Sequence, residues 1–257
     1  MNNNIDVTIH DKREMNKIGL ERFPLDYEVH FDYEIDKLTK ELEKRNEKSL
    51  QAHDSWLELK ENNPERYSEL EKKAEEYEIS LDMQTYGYVE DIIFNDEQLT
   101  VLSEMKIIYA YKQFEIRIKQ LLRASLSADT RQFYKWESLV QFLKEKNINL
   151  SSLKGYSEVL DLQTVNNSLK HTDKISNKIT SIKEFSQTKK MGHEELNKFY
   201  IRVKEFPKVF ISELTKALHS ELYEFSNEKL QNIANSLVLR MDKETASKLM
   251  EIIGKSY

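Results

Sequence analysis

The chain has 257 residues, of which 39% are hydrophobic and 33% charged, enough apolar residues for a globular protein with a real core. It has no cysteine, which excludes disulfides, thiolate nucleophiles and cysteine-ligated zinc, and no stretch approaches the roughly 18 apolar residues of a membrane span. The start, Met1-Asn2-Asn3-Asn4, lacks the basic and apolar regions of a secretion signal, so we expect a cytoplasmic protein without a membrane partner.

Charge is distributed unevenly along the chain. Residues 20–104 hold 10 Lys and Arg against 24 Asp and Glu, a net charge of −14. Residues 105–257 hold 26 against 18, a net charge of +8, and residues 1–19 are balanced. A polyanion such as RNA would therefore meet the second part of the chain. The alternative interpretation is that these charges only solvate helix surfaces.

The first elements are predicted to be helices, because glycine and proline are rare and apolar residues recur at helical spacing. After an N-terminal segment at residues 1–26, residues 27–86 are predicted to form an acidic antiparallel helical hairpin. Its first helix covers about Tyr27 to Leu59, and its second starts at Asn63-Pro64-Glu65, where Asn is suited to the cap and Pro to the first turn. A break near Gly87 ends the hairpin, and Asn95-Asp96-Glu97 is predicted to cap the next helix.

The remaining segments predict a helical bundle at residues 87–225 and a short helical extension at residues 226–257. A central helix of the bundle is apolar on several sides, and a polar tract from Thr172 to Gly192 is predicted as loop or short helix. In chain order the predicted helices cover about Leu99 to Leu126, Arg131 to Lys146, Ser152 to His171, Glu194 to Lys204, Pro207 to Phe225, Asn227 to Leu237, and Lys243 to Ile253, with Gly254 as the final cap.

One run carries most of the polar chemistry: Val165-Asn166-Asn167-Ser168-Leu169-Lys170-His171. Spacings of four and five place both amides on or beside the helix face of His171. Amides hydrogen-bond phosphates and base edges, and lysines bind phosphate. The predicted RNA- or nucleotide-binding residues are Asn166, Asn167, Lys170, Lys174 and Lys178. The alternative for the two asparagines is that they are exposed or helix-packing amides without a ligand.

This run and the order of helices from about Asp96 to Leu222 resemble the HEPN family, whose helical bundles carry an Arg followed roughly four to six residues later by His. The resemblance implies a homodimer formed through the bundle and RNA cleavage without metal or cofactor. In that reaction the His handles protons and the Arg stabilises charge on the phosphate. It also implies a role in bacterial RNA-linked stress or phage-defence systems.

The Arg of the HEPN motif is missing, because Thr164, Val165 and Asn166 occupy its positions. His171, the candidate catalytic residue, therefore has three interpretations. It closes the helix C-terminus, where a partial negative charge favours imidazolium; it contacts RNA or a nucleotide without catalysis; or it catalyses cleavage with an arginine from elsewhere. The arginines considered for that role are Arg117, Arg123 and Arg131.

The competing hypothesis is a non-catalytic helical adaptor that binds a protein partner through the acidic hairpin or the C-terminal helices. No metal site is predicted, since His193-Glu194 lacks the second His that a zinc protease motif needs at helical spacing. No glycine-rich phosphate loop is present either. Catalysis is thus left to His171, and binding to the basic residues around it.

Overall fold

A computed structural model describes residues 8–26, 31–171, 177–188 and 190–256. Within these ranges the backbone forms α helices joined by short 3-10 turns and loops, without any strand. The prediction of an all-α protein is therefore confirmed. None of the helices in these ranges is both long and apolar enough to cross a membrane.

The helix bounds are as follows. In chain order they are α1 (Ile9–Arg22), α2 (Asp32–Asn62), α3 (Pro64–Glu75), α4 (Leu81–Leu126), α5 (Trp136–Lys144), α6 (Tyr156–His171), α7 (Asn177–Thr180), α8 (His193–Val203), α9 (Phe206–Tyr223), α10 (Asn227–Val238) and α11 (Lys243–Lys255). Short 3-10 turns lie at Phe23–Asp26, Thr130–Gln132, Leu150–Ser152 and Lys183–Phe185.

Several helix starts follow from local side-chain chemistry. Asn63 caps α3, because its side-chain oxygen accepts a 3.2 Å hydrogen bond from the backbone N–H of Arg66, and Pro64 opens the helix. Ser226 caps α10 and Asp242 caps α11 in the same way. Each cap satisfies a backbone donor that the first helical turn leaves unpaired. The predicted helix start at Asn63 is thus confirmed.

The chain divides into two compact units. The first unit contains Met1–Glu28, Phe114–Val159 and Glu205–Tyr257, and the second contains Val29–Gln113 and Leu160–Lys204. Each unit is assembled from separate stretches of sequence, and α4 and α6 each contribute residues to both. The linear boundaries predicted at residues 26, 86 and 225 remain predictions.

Aromatic rings fill the core of the first unit. The ring centroid of Phe210 in α9 lies 5.8 Å from that of Phe114 in α4, 6.3 Å from Trp136 in α5 and 6.3 Å from Tyr156 in α6. Tilted and edge-to-face contacts of this kind contribute about 0.5–1.5 kcal/mol beyond simple area burial. The four rings therefore tie four helices of this unit together.

The turn before α6 depends on Gly155. Its φ is +88°, a left-handed conformation that side-chain-bearing residues rarely adopt. A Cβ at this position would lie 3.2 Å from the backbone oxygen of Phe206 and 3.5 Å from the Cβ of Phe210. Glycine thus permits both the turn and the close approach of α9.

The second unit has an aliphatic and aromatic core supplied mainly by α4, α6 and α8. Fully or almost fully buried positions recur at helical spacing in each helix, which is why the sequence pattern identified them as helices. The buried residues are Leu99, Ile107, Ala110 and Tyr111 in α4, Leu162 and Val165 in α6, and Leu196, Phe199, Tyr200 and Val203 in α8.

The predicted break near Gly87 is wrong. Gly87 and the supposed capping run Asn95-Asp96-Glu97 lie inside α4, which continues without interruption for 46 residues. A glycine inside a helix costs only about 1 kcal/mol relative to alanine, so one glycine does not by itself end a long helix. Asn95 is itself buried within the helix, so it caps nothing.

Other helix ends also differ from the prediction. The segment before α5 forms a 3-10 turn, so α5 begins at Trp136, and a second 3-10 turn delays the start of α6 to Tyr156. Gly254 lies inside α11, whose cap is Ser256. The helix predicted from Tyr27 is described from Asp32 onward, because residues 27–30 lie outside the described ranges.

Candidate functional site

The last turns of α6 contain the described part of the predicted site. Asn166 is only 1% exposed, whereas Asn167 and Lys170 are exposed. The side-chain nitrogen of Asn166 donates a 3.1 Å hydrogen bond to the side-chain oxygen of Asn167. The two amides are therefore not equivalent: Asn166 belongs to the interior, and Asn167 lies on the surface.

This hydrogen bond orients the Asn167 carboxamide. Because its oxygen accepts from Asn166, its N–H donors remain for groups outside the protein. Lys170, one turn later, adds a positive charge, and it forms no ion pair with a described residue. The oxygen of Asn166 accepts no hydrogen bond from the described part of the chain. The surface made by Asn167 and Lys170 thus presents donors, the pattern that suits a phosphate or another anion.

The other predicted site residues are partly outside the described structure. His171 is the last residue of α6, but its side chain is not described, and Lys174 lies outside the described residues. Lys178 is exposed on the short helix α7. The backbone position of His171 is the one expected for a residue that closes a helix, while its catalytic role stays a prediction.

Arg202 forms a charged network in the second unit. Its guanidinium donates hydrogen bonds of 2.8 Å and 3.0 Å to the two carboxylate oxygens of Glu184, and one of 3.0 Å to Asp161 on α6. It also stacks over the ring of Phe199, 5.2 Å from the ring centre. A guanidinium shared by two carboxylates has no charge left over for a phosphate.

The carboxylate of Glu184 is 7% exposed, and its pKa reflects two opposing effects. Burial raises the pKa of Glu184, but the hydrogen bonds and charge of Arg202 outweigh this effect, so the pKa lies below its ordinary value. Glu184 therefore stays ionised and holds Arg202 in place. Sequence reasoning missed this network, since its partners are separated by 18 and 41 positions.

The arginines considered as replacements for the missing motif Arg are engaged inside the first unit. Arg117 lies over the ring of Phe23, and Arg123 donates a 3.0 Å hydrogen bond to Thr130. Arg131 binds Asp129 in a fork and lowers the pKa of Asp129 to about 2, mainly through its side-chain hydrogen bond. The described contacts of these three arginines are therefore made to residues of the first unit. The surface from Asn166 to Lys170 belongs to the second unit.

His193 lies at the start of α8 and contacts α4. Its Nδ1 lies 2.8 Å from the hydroxyl of Ser103 and 3.2 Å from the carbonyl oxygen of Leu99, and its Nε2 lies 3.5 Å from Glu43. Ser103, His193 and Glu43 are residue types that serve as nucleophile, base and acid in hydrolases. Ser103 is only 4% exposed, however, so a substrate has no access to its hydroxyl. We interpret His193 as a helix-to-helix contact.

A second histidine cluster lies in the first unit. The Nε2 of His219 lies 3.3 Å from Glu21 and its Nδ1 lies 3.7 Å from Glu224. With Thr215 and other polar residues they line a cavity of about 290 Å³. Among the described residues, no group of three or more His, Asp or Glu has an arrangement that could hold a metal ion.

An apolar groove lies between α2 and α4 in the second unit. Its volume is about 440 Å³, and its apolar lining includes Leu38 and Leu42 from α2 with Phe94 and Val101 from α4. Leu38, Phe94 and Val101 are at least half exposed. Charged side chains also line the groove, namely Glu41, Arg45 and Glu97. Its apolar lining suits the apolar face of a helix better than a nucleotide.

No protein-family model, curated protein or solved structure matches this chain. The resemblance to the HEPN family therefore stays a prediction from the sequence. What the molecule does has to be inferred from the side chains that the structure describes.

Proposed function

We propose that this chain is a HEPN-like protein that binds RNA through the end of α6 and does not depend on RNA cleavage for its function. The observation that carries the proposal is the hydrogen bond from buried Asn166 to the side-chain oxygen of exposed Asn167, one turn before exposed Lys170. The proposal includes a cytoplasmic location, expected from the sequence, and a role in RNA-linked stress or phage defence, which the resemblance to the HEPN family implies.

Charge supports the choice of a polyanion as ligand. Residues 160–204, the part of the second unit that contains the site, hold nine Lys and Arg against five Asp and Glu, a net charge of +4, and Lys170 and Lys178 are exposed without ion pairs to described residues. Lysine side chains contact the phosphates and not the base edges. Binding is therefore expected to tolerate different RNA sequences and to weaken steeply as the salt concentration rises.

The charged network around Arg202 supports binding without cleavage. A metal-free nuclease needs a cation to stabilise the charge on the phosphate in the transition state. Arg202 donates to Asp161 on α6 itself, but both Asp161 and Glu184 share its charge. In this proposal Lys170 supplies charge for binding, and His171 contacts RNA without acting as a catalyst.

The test is fluorescence anisotropy with a fluorescein-labelled single-stranded RNA at low and high salt. The double variant Lys170→Ala/Lys178→Ala is expected to lose about tenfold or more in affinity at low salt. Lys216→Ala/Lys248→Ala is the matched control, since it removes two exposed lysines from α9 and α11. Equal losses in both double variants, or an affinity of the wild type that does not change with salt, would overturn the proposal.

A second experiment addresses cleavage. Wild type and His171→Ala are incubated with mixed RNA in the presence of a metal chelator, and the fragments are separated on a gel. The proposal expects equal background in both. Cleavage by the wild type that His171→Ala abolishes would establish a nuclease and contradict the part of the proposal that excludes catalysis.

The groove between α2 and α4 favours a second function, a helical adaptor for a protein partner. Exposed Phe94 and Val101 are the kind of residues that anchor an amphipathic helix. Because residues 20–104 carry a net charge of −14, the expected partner is a helix with basic flanks.

A synthetic Leu/Lys amphipathic peptide is the probe for this second function. It is expected to bind the wild type and to lose at least about tenfold in affinity with Val101→Glu, which places a charge in the groove. Tyr77→Glu is the control, since Tyr77 is an exposed aromatic residue that does not line the groove. An equal loss in the two variants would show that charge alone decides binding and would exclude the groove.

A further inference from the structure

A small cavity lies among α2, α3 and α4 in the second unit, with a volume of about 280 Å³. One aromatic residue from each helix lines it: Trp56 from α2, Tyr67 from α3 and Tyr86 from α4. Asp82, in the first turn of α4, belongs to the same lining. Aromatic faces attract cations, and a carboxylate adds a full negative charge. The composition of this cavity is therefore that of a cation site.

The arrangement of the rings also suits a cation. Trp56 and Tyr67 meet edge to face, with ring centroids 6.3 Å apart and planes 85° from each other. Rings at this angle form two adjoining sides of a site instead of stacking on each other. Tyr86 is 57% exposed, so a ligand can reach it from solvent. The Tyr67 ring already holds a cation, because the ammonium of Lys60 lies 5.1 Å from its centre.

The negative charge of the cavity is fixed in place. The hydroxyl of Tyr67 donates a 3.1 Å hydrogen bond to Asp82, and the ammonium of Lys60 lies 3.4 Å from the same oxygen. The hydrogen bond from Tyr67 and the interactions with Lys60 hold the pKa of Asp82 below its ordinary value, so Asp82 is ionised at neutral pH. Around the cavity, residues 51–90 hold eleven Asp and Glu against four Lys and Arg, a net charge of −7.

Lys60 is held weakly over the Tyr67 ring. Its side chain is 55% exposed and that of Asp82 is 69% exposed, and exposed ion pairs of this kind contribute little to stability. A lysine ammonium is also strongly hydrated, so water competes with the ring for it. A quaternary ammonium group has no N–H to hydrate, and it is the cation that aromatic cages recognise. Such a group is therefore expected to displace the Lys60 ammonium.

We propose that this cavity, called here the aromatic cage and made of Trp56, Tyr67, Tyr86 and Asp82, binds the quaternary ammonium group of a small organic cation. The methyl groups of the ligand contact the ring faces, and Asp82 supplies the counter-charge. Lys60 moves into solvent on its flexible stem when the ligand enters. The proposal is independent of RNA binding at α6 and of the groove between α2 and α4.

The size and charge of the aromatic cage favour a small, wholly cationic molecule. Ligand sites usually measure about 300–1,000 Å³, so a volume of about 280 Å³ suits a head group of few heavy atoms. The net charge of −7 around the cage repels a phosphate or carboxylate beside the ammonium. This disfavours phosphocholine, betaines and lipid head groups. A trimethylated lysine of another protein has the same cationic head, so the experiment treats it as a separate arm.

The test is a titration of the ¹⁵N-labelled full chain with choline chloride at constant ionic strength, followed by two-dimensional NMR. The chain has two tryptophans, so two indole N–H signals are expected, and Trp56→Phe identifies the one from the cage. Choline is expected to shift the Trp56 signal until it saturates. The signal of Trp136, which lies in the first unit, should stay in place.

The neutral molecule 3,3-dimethylbutanol separates the effect of charge from that of shape, because it matches choline without the positive charge. It is expected to bind at least about tenfold more weakly than choline, since it gains no cation–π attraction. Phosphocholine should also bind more weakly, because its phosphate meets the acidic surroundings of the cage.

Tyr86→Leu removes one ring of the cage at a position that is largely exposed, so the fold should be retained. It is expected to weaken choline binding by at least about threefold. Tyr77→Leu is the matched control, since Tyr77 is an exposed tyrosine that does not line the cavity. Equal effects of the two substitutions would overturn the proposal.

Lys60→Gln removes the competing ammonium and is expected to strengthen choline binding by about two- to fivefold, the size of an exposed ion pair. Lys73→Gln is the matched control, because it removes an exposed lysine of α3 that does not line the cavity. An equal gain in both variants would show that overall charge alone attracts the cation, and it would overturn the proposal.

Two outcomes with the ligands themselves would also overturn the proposal. The first is 3,3-dimethylbutanol binding as tightly as choline, since the cavity would then select only an apolar shape. The second is a shift of the Trp56 signal by a trimethyllysine peptide but not by choline, since the partner would then be a modified protein.

Discussion

The hydroxyl of Tyr200 in α8 donates a 2.6 Å hydrogen bond to the carboxylate of Asp32, the first residue of α2. Next to it the ammonium of Lys106 in α4 lies 5.4 Å above the Tyr200 ring and forms an ion pair with Asp36. Lys106 is 8% exposed, so its charge depends on these partners. One tyrosine thus joins the start of α2 to α4 and α8.

Tyr200→Phe is expected to lower the free energy of unfolding by about 1–2 kcal/mol, because it removes a hydrogen bond to a charged group. The ring, and with it the contact to Lys106, is retained. Urea unfolding followed by circular dichroism measures the change. Tyr86→Phe, at an exposed tyrosine, should change stability by less than about 0.5 kcal/mol. Equal effects at the two positions would contradict a specific role for the Tyr200 hydroxyl.

Arg202→Ala is expected to cost about 2–4 kcal/mol, because it leaves the buried carboxylate of Glu184 without its counter-charge. Arg202→Lys should recover only part of this loss, since an ammonium cannot reproduce the two-pronged hydrogen bonding of a guanidinium. The measurement is again urea unfolding at neutral pH.

Lys198→Ala is the matched control for Arg202, since Lys198 lies on the same helix in an exposed pair with Glu194. Exposed pairs contribute little, so a change below about 0.5 kcal/mol is expected. A loss on Arg202→Ala that is no larger than this would show that the network adds nothing to stability.

The lowered pKa of Glu184 predicts that the stability of the protein depends on pH. Its pKa in the folded protein lies below the ordinary value of 4.5. A carboxyl group with a lowered pKa contributes stability that is complete above its ordinary value and is lost as the pH falls through the folded value. The stability difference between wild type and Glu184→Gln should therefore be largest at neutral pH and shrink below about pH 4.5. A difference that stays constant down to strongly acidic pH would contradict this assignment.

Alanine substitutions at two glycines are predicted to change the stability in opposite directions. Gly155→Ala should destabilise the protein by about 1–3 kcal/mol, because φ is +88° and the new Cβ would crowd the carbonyl oxygen of Phe206. Gly87→Ala should instead stabilise by about 0.5–1 kcal/mol, since Gly87 lies within α4 and a Cβ there meets nothing within 4 Å. Thermal unfolding of both variants checks the signs. Destabilisation by Gly87→Ala would show that α4 is not helical at that position.

Features fixed by neighbouring residues could be predicted from the sequence. The cap at Asn63 and the apolar periodicity of the helices depend on residues within one or two turns, and these predictions are confirmed. The missed helix α1 also has a local signal, the reciprocal hydrogen bonds between Thr8 and Asp11 that form a capping box. At Gly87 the local signal was misleading, because one glycine costs a helix only about 1 kcal/mol and α4 continues through it.

The candidate site was less predictable because burial depends on residues far apart in the sequence. Helical spacing placed Asn166 and Asn167 near each other, but it could not show that one is buried and the other exposed. The partners of Arg202 come from α6 and from the turn at Lys183–Phe185. No local pattern links these segments, so their meeting is visible only in the fold.

The interleaved order of the two units has a consequence for synthesis on the ribosome. The second unit needs residues up to Lys204, and the first needs α9, which begins at Phe206. A nascent chain that has emerged only as far as α6 therefore contains neither unit in full. Domains usually fold as they emerge, N-terminal first. Here the apolar faces of the early helices stay exposed until the later segments that cover them have been synthesised. We expect the growing chain to need protection by chaperones until α8 and α9 have left the exit tunnel.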